Sequence, residues 1–113
     1  MVTDISDSIY EKYALGNSEI VEKNVSGYIK WFNFKDGYGF VTTKMDKRDI
    51  FLHKTGVAAS IPENCWPSIL IPGVECVFDI GNCKSGLIAI NVTAILVCKN
   101  GSVYNIAEIF QGK

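Results

Sequence analysis

Two short stretches of the chain set flat rings and charges at alternating positions. In Tyr38-Gly39-Phe40-Val41, Tyr38 and Phe40 share one side of an extended strand and Val41 takes the other. In Asp49-Ile50-Phe51-Leu52-His53, the aliphatic pair Ile50 and Leu52 opposes Asp49, Phe51 and His53, because successive strand side chains point to opposite faces. With Val41, Ile50 and Leu52 in a core, Tyr38, Phe40, Phe51 and His53 point to solvent. A second core would not carry Asp49 and His53 among its rings. Outward rings on neighbouring strands, with Lys30 and Lys35 close in sequence, suit the stacking of successive bases and the neutralisation of a polyanionic backbone. Gly37 and Gly39 are expected to let a base approach the sheet closely.

Other chemistries find little support. His53 is the one histidine, and no serine, cysteine or second histidine is placed by motif to make it a general base. Phosphate loops, paired catalytic carboxylates and metal-ligand clusters do not occur, so an enzyme is not expected, nor is a cofactor. Cys65, Cys76, Cys83 and Cys98 are spaced 11, 7 and 15 residues apart and form no C-x-x-C pair. They read as structural thiols, with Cys76, Cys83 and Cys98 in or beside apolar strand-like segments as small hydrophobes, and no metal site is expected.

The elements that must carry these side chains follow from punctuation. A chain of 113 residues with 48% hydrophobic and 12% aromatic content fits one domain. Gly and Asx residues cut its apolar runs to strand length, which predicts an all-β fold with strands at Gly27 to Asn33, Tyr38 to Thr43, Asp49 to His53, Val74 to Ile80 and Ile88 to Val97. Turns are expected at 35–37, 45–48 and 81–86. Thr55 to Pro72, with Pro62, Pro67 and Pro72, reads as a long loop whose Trp66 packs and whose Ile69-Leu70-Ile71 seals one end of a barrel. Ser6 to Leu15 is expected to be a short helix, with Ser6 or Asp7 as N-cap and Gly16 beyond its end. Asn100-Gly101 between two apolar runs predicts a type I′ hairpin. The expected organisation is an N-terminal extension over 1–24, a central domain over 25–96 and a C-terminal hairpin extension over 97–113.

Charge is uneven. The net charge is −1, yet residues 1–24 carry −3 and residues 25–60 carry +3, from Lys30, Lys35, Lys44, Lys47, Arg48 and Lys54 against Asp36, Asp46 and Asp49. The basic third is where a polyanion would meet the protein. No apolar run reaches the ~18 residues of a membrane span. Asp4 and Asp7 stand where a secretory signal would be basic, which predicts an intracellular protein without membrane contact.

The run Gly27-Tyr28-Ile29-Lys30-Trp31-Phe32-Asn33-Phe34-Lys35-Asp36-Gly37-Tyr38-Gly39-Phe40-Val41, followed by Asp49-Ile50-Phe51-Leu52-His53-Lys54-Thr55-Gly56-Val57, resembles the cold-shock domain family over about residues 25 to 96. Asn91-Val92-Thr93 is similar to the family's last strand, and the long loop after the third strand resembles the eukaryotic Y-box type. The resemblance implies a five-stranded antiparallel OB-fold barrel that binds single-stranded RNA or DNA with little selectivity and a preference for pyrimidine-rich strands. It implies stacking by Trp31, Tyr38, Phe40, Phe51 and His53 and polar contacts from Lys30, Asn33 and Asp49; Lys35 and Lys54 are further candidate cations for the phosphates. Trp31 and Phe32 are adjacent, so simple alternation cannot hold for both; Trp31 is expected outward and Phe32 partly exposed. A role as RNA chaperone or regulator of translation or mRNA stability is implied, in the cytoplasm and also the nucleus.

Two positions depart from the family. Lys54 stands where bacterial relatives often carry another ring, and Asp36 brings a negative charge to the turn before Tyr38. Asp36 either satisfies backbone N–H groups of that turn or accepts from an exocyclic amine such as that of cytosine. A different reading makes the barrel mainly a protein-interaction module, with a partner docking on the N- or C-terminal extension.

Overall fold

The computed structural model describes residues 5–12 and 15–111. Its elements are α1 (Ile5–Lys12), β1 (Glu19–Asn33), β2 (Tyr38–Thr43), β3 (Asp49–His53), α2 (Trp66–Ile69), β4 (Glu75–Cys83), β5 (Gly86–Val97), β6 (Val103–Asn105) and α3 (Ile106–Gln111). The sheet runs in the order β3-β2-β1-β4-β5-β6, and a parallel contact of β3 with β5 at Phe51 and Ile88 closes the first five strands into a barrel. The expected OB-type architecture is present.

Alternation builds the core. Ile29, Val41, Ile50, Leu52, Phe78, Ile80 and Val92 all point inward and are buried, so the aliphatic face inferred for the second and third strands is the barrel interior. Cys76 joins them, and burial, with Glu75 beside it, pushes its thiol up to about 12. All four cysteines are unpaired.

β1 begins at Glu19, eight residues before the expected start. Residues 19–24 of the expected extension therefore continue the strand and pair with β4, through Glu19 to Asn82, Ile20 to Gly81 and Glu22 to Ile80. Bulges between Ile20 and Val25 coil the strand. Asp79 pins the distortion: its carboxylate accepts from the Asn24 N–H at 3.0 Å and from Asn91 Nδ2 at 3.1 Å, and both asparagines adopt φ of 55°. The Asp79 carboxylate, tied to the Asn24 backbone and to the Asn91 side chain, thus fixes the curvature of β1 and β5 on either side of β4.

The segment expected as a loop over 55–72 is an organised plug. It contains single turns at Lys54–Gly56 and Glu63–Cys65 before α2, and Pro67 sits in the first turn of α2, where its missing N–H costs nothing. Ile61 and Leu70 are buried in the core and Ile69 packs against it, whereas Ile71 is exposed, so the expected Ile69-Leu70-Ile71 seal forms only in part.

The C-terminal hairpin forms, with Val97 opposite Val103 and Leu96 opposite Tyr104. Its turn differs from the expected type I′, in which both central residues have positive φ: here Gly101 does, at 87°, and Asn100 does not. The Gly101 N–H bonds the Cys98 carbonyl at 2.9 Å, and the Cys98 N–H bonds that of Ser102 at 2.8 Å, giving a wider loop with a glycine bulge. An unanticipated helix, α3, follows at once. Thr93 Oγ1 accepts from the Ala107 N–H and donates to Asn105 Oδ1, both at 2.9 Å, which seats Ala107 in the core.

Candidate nucleic-acid interface

A one-residue bulge assembles the candidate site. Ile29 pairs with Val41 but Trp31 pairs with Phe40, so Lys30 is the extra residue of β1. The bulge resets alternation. Ile29 stays buried, Lys30 and Trp31 both face solvent, and Phe32 turns back to pack against the core. This resolves the adjacency of the two rings as expected. Residues opposite one another in antiparallel strands share a face, so the outer surface carries three rows: Tyr28-Thr42-Asp49, Trp31-Phe40-Phe51 and Asn33-Tyr38-His53.

Four rings of these rows form one connected platform. Trp31 meets Phe40 at 5.4 Å between centroids and Tyr38 at 5.9 Å; Phe51 meets Phe40 at 5.7 Å and Tyr38 at 5.8 Å. Tilted and edge-on contacts at these separations are favourable pair geometries, and they hold each ring in place before any ligand arrives.

Gly39 plays another part than expected. It lies in the inner row, between Phe32 and Leu52, and a Cβ there would sit 2.1 Å from the Trp31 carbonyl oxygen. Its missing side chain lets β1 and β2 approach each other at the bulge, and a base on the outer face gains no room from it. Gly37, at φ 76°, serves the turn.

The polar candidates are already engaged with one another. Lys30 Nζ donates to Asp49 Oδ2 at 2.5 Å, and Thr42 Oγ1 donates to Asp49 Oδ1 at 2.9 Å. Lys30 first, and Thr42 second, hold the Asp49 carboxyl below the usual carboxylate range. Asn33 and Asp36 clasp the turn: the Asp36 N–H donates to Asn33 Oδ1 at 2.9 Å, and Asn33 Nδ2 donates to Asp36 Oδ2 at 3.1 Å. Of the two readings of Asp36, this geometry is that of the turn residue. Lys35 is exposed at the turn, and Lys54 is half-buried just beyond β3. Arg48 is committed elsewhere, with Nη1 and Nη2 at 3.0 and 3.1 Å from Glu22 and Nε at 2.6 Å from Asp46.

His53 departs from expectation. It keeps the outward parity of Phe51, but only 2% of it is exposed. Its Nδ1 accepts from the Thr55 N–H at 3.2 Å and lies 2.8 Å from the Thr55 hydroxyl, while the ring of Tyr10, from α1, covers it at 5.7 Å between centroids. The N-terminal segment folds over the surface that alternation alone left open.

Two aromatic residues next to these in the chain were missed. Tyr28 shares a row with Thr42 and Asp49, and Lys47 Nζ stands 5.2 Å from its ring centroid; its parity with Lys30 was the signal. Phe34 is half-exposed in the turn, 5.2 Å from Phe32, beyond the strand where alternation has no voice. Trp66 packs edge-on to Phe32 at 6.4 Å, as expected of a packing residue. Among the described residues no cluster of His, Cys, Asp and Glu could hold a metal ion, and no helix is long and apolar enough to cross a membrane.

A closed OB-type barrel with an exposed platform of rings and cations beside it defines a surface of the kind that binds single strands. Residues 25–95 match the family model of the 'Cold-shock' DNA-binding domain, and the chain belongs to that nucleic-acid-binding family. It is 33% identical over 79 residues to Y-box-binding protein 1 of Xenopus laevis, which covers 70% of this chain and 26% of that protein. Y-box-binding protein 3 of Homo sapiens is 33% identical over 66% of this chain and 20% of its own length. Cold shock-like protein CspC of Escherichia coli K12 is 35% identical over 63% of this chain and 96% of its own. The matched region thus spans about a quarter or less of the Y-box relatives and nearly all of the bacterial one.

Proposed function

We propose that the chain binds single-stranded RNA or DNA by stacking successive bases on Trp31, Phe40, Phe51 and Tyr38, with Lys35 and Lys54 meeting the phosphates. The observation that carries this reading is the connected set of outward rings on one barrel face. Stacking tolerates every base and draws modest preference from backbone flexibility, which favours pyrimidine-rich strands. Holding bases on a protein surface competes with their pairing, so such a module melts weak RNA structure and acts as an RNA chaperone or a regulator of translation. No cofactor enters this activity.

Trp31 reports on the platform. Its fluorescence is expected to fall on titration with a short oligothymidine at low salt, and Trp31→Ala or Phe51→Ala to weaken binding by roughly ten-fold or more, since each stacked base contributes ~1–3 kcal/mol. Folded variants that bind as tightly as the native chain would remove the stacking reading.

A second role is favoured by the hairpin. Leu96, Val97, Val103 and Tyr104 are all exposed, and facing pairs place apolar side chains on both sides of the ribbon, as a protein contact surface would.

A further inference from the structure

His53 and Tyr10 bear on where the third row of the platform ends. In that row Asn33 and Tyr38 are followed by His53, whose ring is buried and cannot meet a base while α1 is seated. The ring that covers it is itself exposed. Tyr10 is 38% accessible, the same as Trp31, so one aromatic surface has been replaced by another lying one layer further out.

Tyr10 is held as a platform ring needs to be. On one side it packs on His53. Its hydroxyl end rests against Gly16, where an added Cβ would lie 2.6 Å from the phenolic oxygen. Behind it the chain is anchored: Leu15 is buried, Ser18 Oγ donates to the Leu15 carbonyl at 2.7 Å, and β1 begins at Glu19. Beside Tyr10 opens a hollow of about 260 Å³, walled by His53, Thr55, Ile88, Ala89 and Ile90. That is just below the ~300–1,000 Å³ of pockets that take drug-sized ligands, a scale suited to a single planar heterocycle.

We propose that Tyr10 is a base-stacking residue of this protein, standing in for the covered His53, and that the hollow beside it receives a base at the end of the platform. This rests on the single-strand-binding reading above. A tyrosine ring offers a broad apolar face at low cost in side-chain entropy and stacks on any base. The N-terminal segment then belongs to the binding surface and lengthens it by one nucleotide.

The experiment uses the full chain and oligouridine. Tyr10→Ala is expected to weaken binding by about ten-fold, as for one stacked base, while Tyr10→Phe keeps native affinity. An affinity raised by Tyr10→Ala would make α1 a cover that competes with nucleic acid, and would overturn the proposal. Because Tyr10→Ala could unseat α1 and bare His53, a second measurement is made on the native sequence: photocrosslinking of oligouridine carrying 4-thiouridine, with the modified residue mapped by mass spectrometry. Crosslinks on Tyr10 support the proposal; crosslinks on His53 with none on Tyr10 overturn it. Phe51→Ala separates the two readings. If it weakens binding and Tyr10→Ala does not, the inference about Tyr10 fails alone; if the native chain does not bind oligouridine, the reading of the platform fails with it.

Discussion

Lys30 and Asp49 lie 19 residues apart in sequence and form an ion pair at 2.5 Å across the outer face of the barrel. The cation nearest Trp31 is therefore partly neutralised by a neighbour on β3, although neither side chain is buried. Asp49→Asn releases Lys30 to a phosphate. Affinity for oligothymidine at low salt is expected to rise about two- to five-fold, a modest gain because surface charges are screened beyond ~8–10 Å at ordinary ionic strength. An affinity lowered by the substitution would instead make the carboxylate a base contact.

The same pair sets a pH dependence. Asp49 titrates below its ordinary value of 3.8 in the folded chain, chiefly through Lys30. A depressed carboxylate contributes stability above the unfolded value, and the contribution is lost as pH falls through the lower folded value. Thermal unfolding should therefore separate the native chain from Asp49→Asn by a constant margin from neutrality down to about pH 4. The margin should shrink below that.

Ion pairing also limits the response to salt. Lys30 is paired with Asp49, and Arg48 with Glu22 and Asp46, so each must give up a carboxylate before it meets a phosphate, and the contacts proposed above are those of Lys35 and Lys54. At about −0.7 per phosphate on a single strand, two contacts give a log-log slope of roughly −1.4, and recruitment of Lys30 and Arg48 would carry it to roughly −2.8. Fluorescence titrations across a range of salt measure the slope. A much steeper value would mean that phosphates dominate over rings.

Asp36 is expected to behave as a turn residue. Its N–H and carboxylate are both engaged by Asn33, and asparagine can keep that clasp with its amide. Asp36→Asn should leave stability nearly unchanged and tighten binding to oligouridine by less than about ten-fold through lost repulsion. Preference between oligocytidine and oligouridine should not move; a cytosine preference abolished by the change would restore the base-contact reading.

Gly39→Ala tests the close approach of β1 and β2. A methyl group 2.1 Å from the Trp31 carbonyl oxygen cannot be accommodated by a side-chain rotation, because the obstacle is backbone. Destabilisation of about 3 kcal/mol or more is expected, at the upper end of overpacking costs. Chemical denaturation measures it. Weaker binding with unchanged stability would return Gly39 to the outer face.

Much of the barrel was legible in the chain because its causes are local. Alternation in residues 38–43 and 49–53 separates Val41, Ile50 and Leu52 from Tyr38, Phe40 and Phe51 within a few residues, and both strands form at the expected bounds. The pleat makes such a pattern readable without knowing the partner strands. Asn100-Gly101 likewise announced a hairpin, although its turn type depended on how the strands it joins are twisted and paired.

Tertiary contacts decided what alternation could not. The Lys30 bulge arises from the register of β1 against β2, and it is the bulge that turns Trp31 toward Phe40. Parity gave His53 an outward direction, but its ring is buried with that of Tyr10, 43 residues away, packed on it, and no local pattern connects the two. Lys30 counts as a cation in any sum of charges, yet Asp49 sits beside it only after β2 and β3 have paired. A residue's type and the face it occupies are properties of its own strand; whether that face is open, and whether that charge is free, belong to whatever distant segment the fold lays against it.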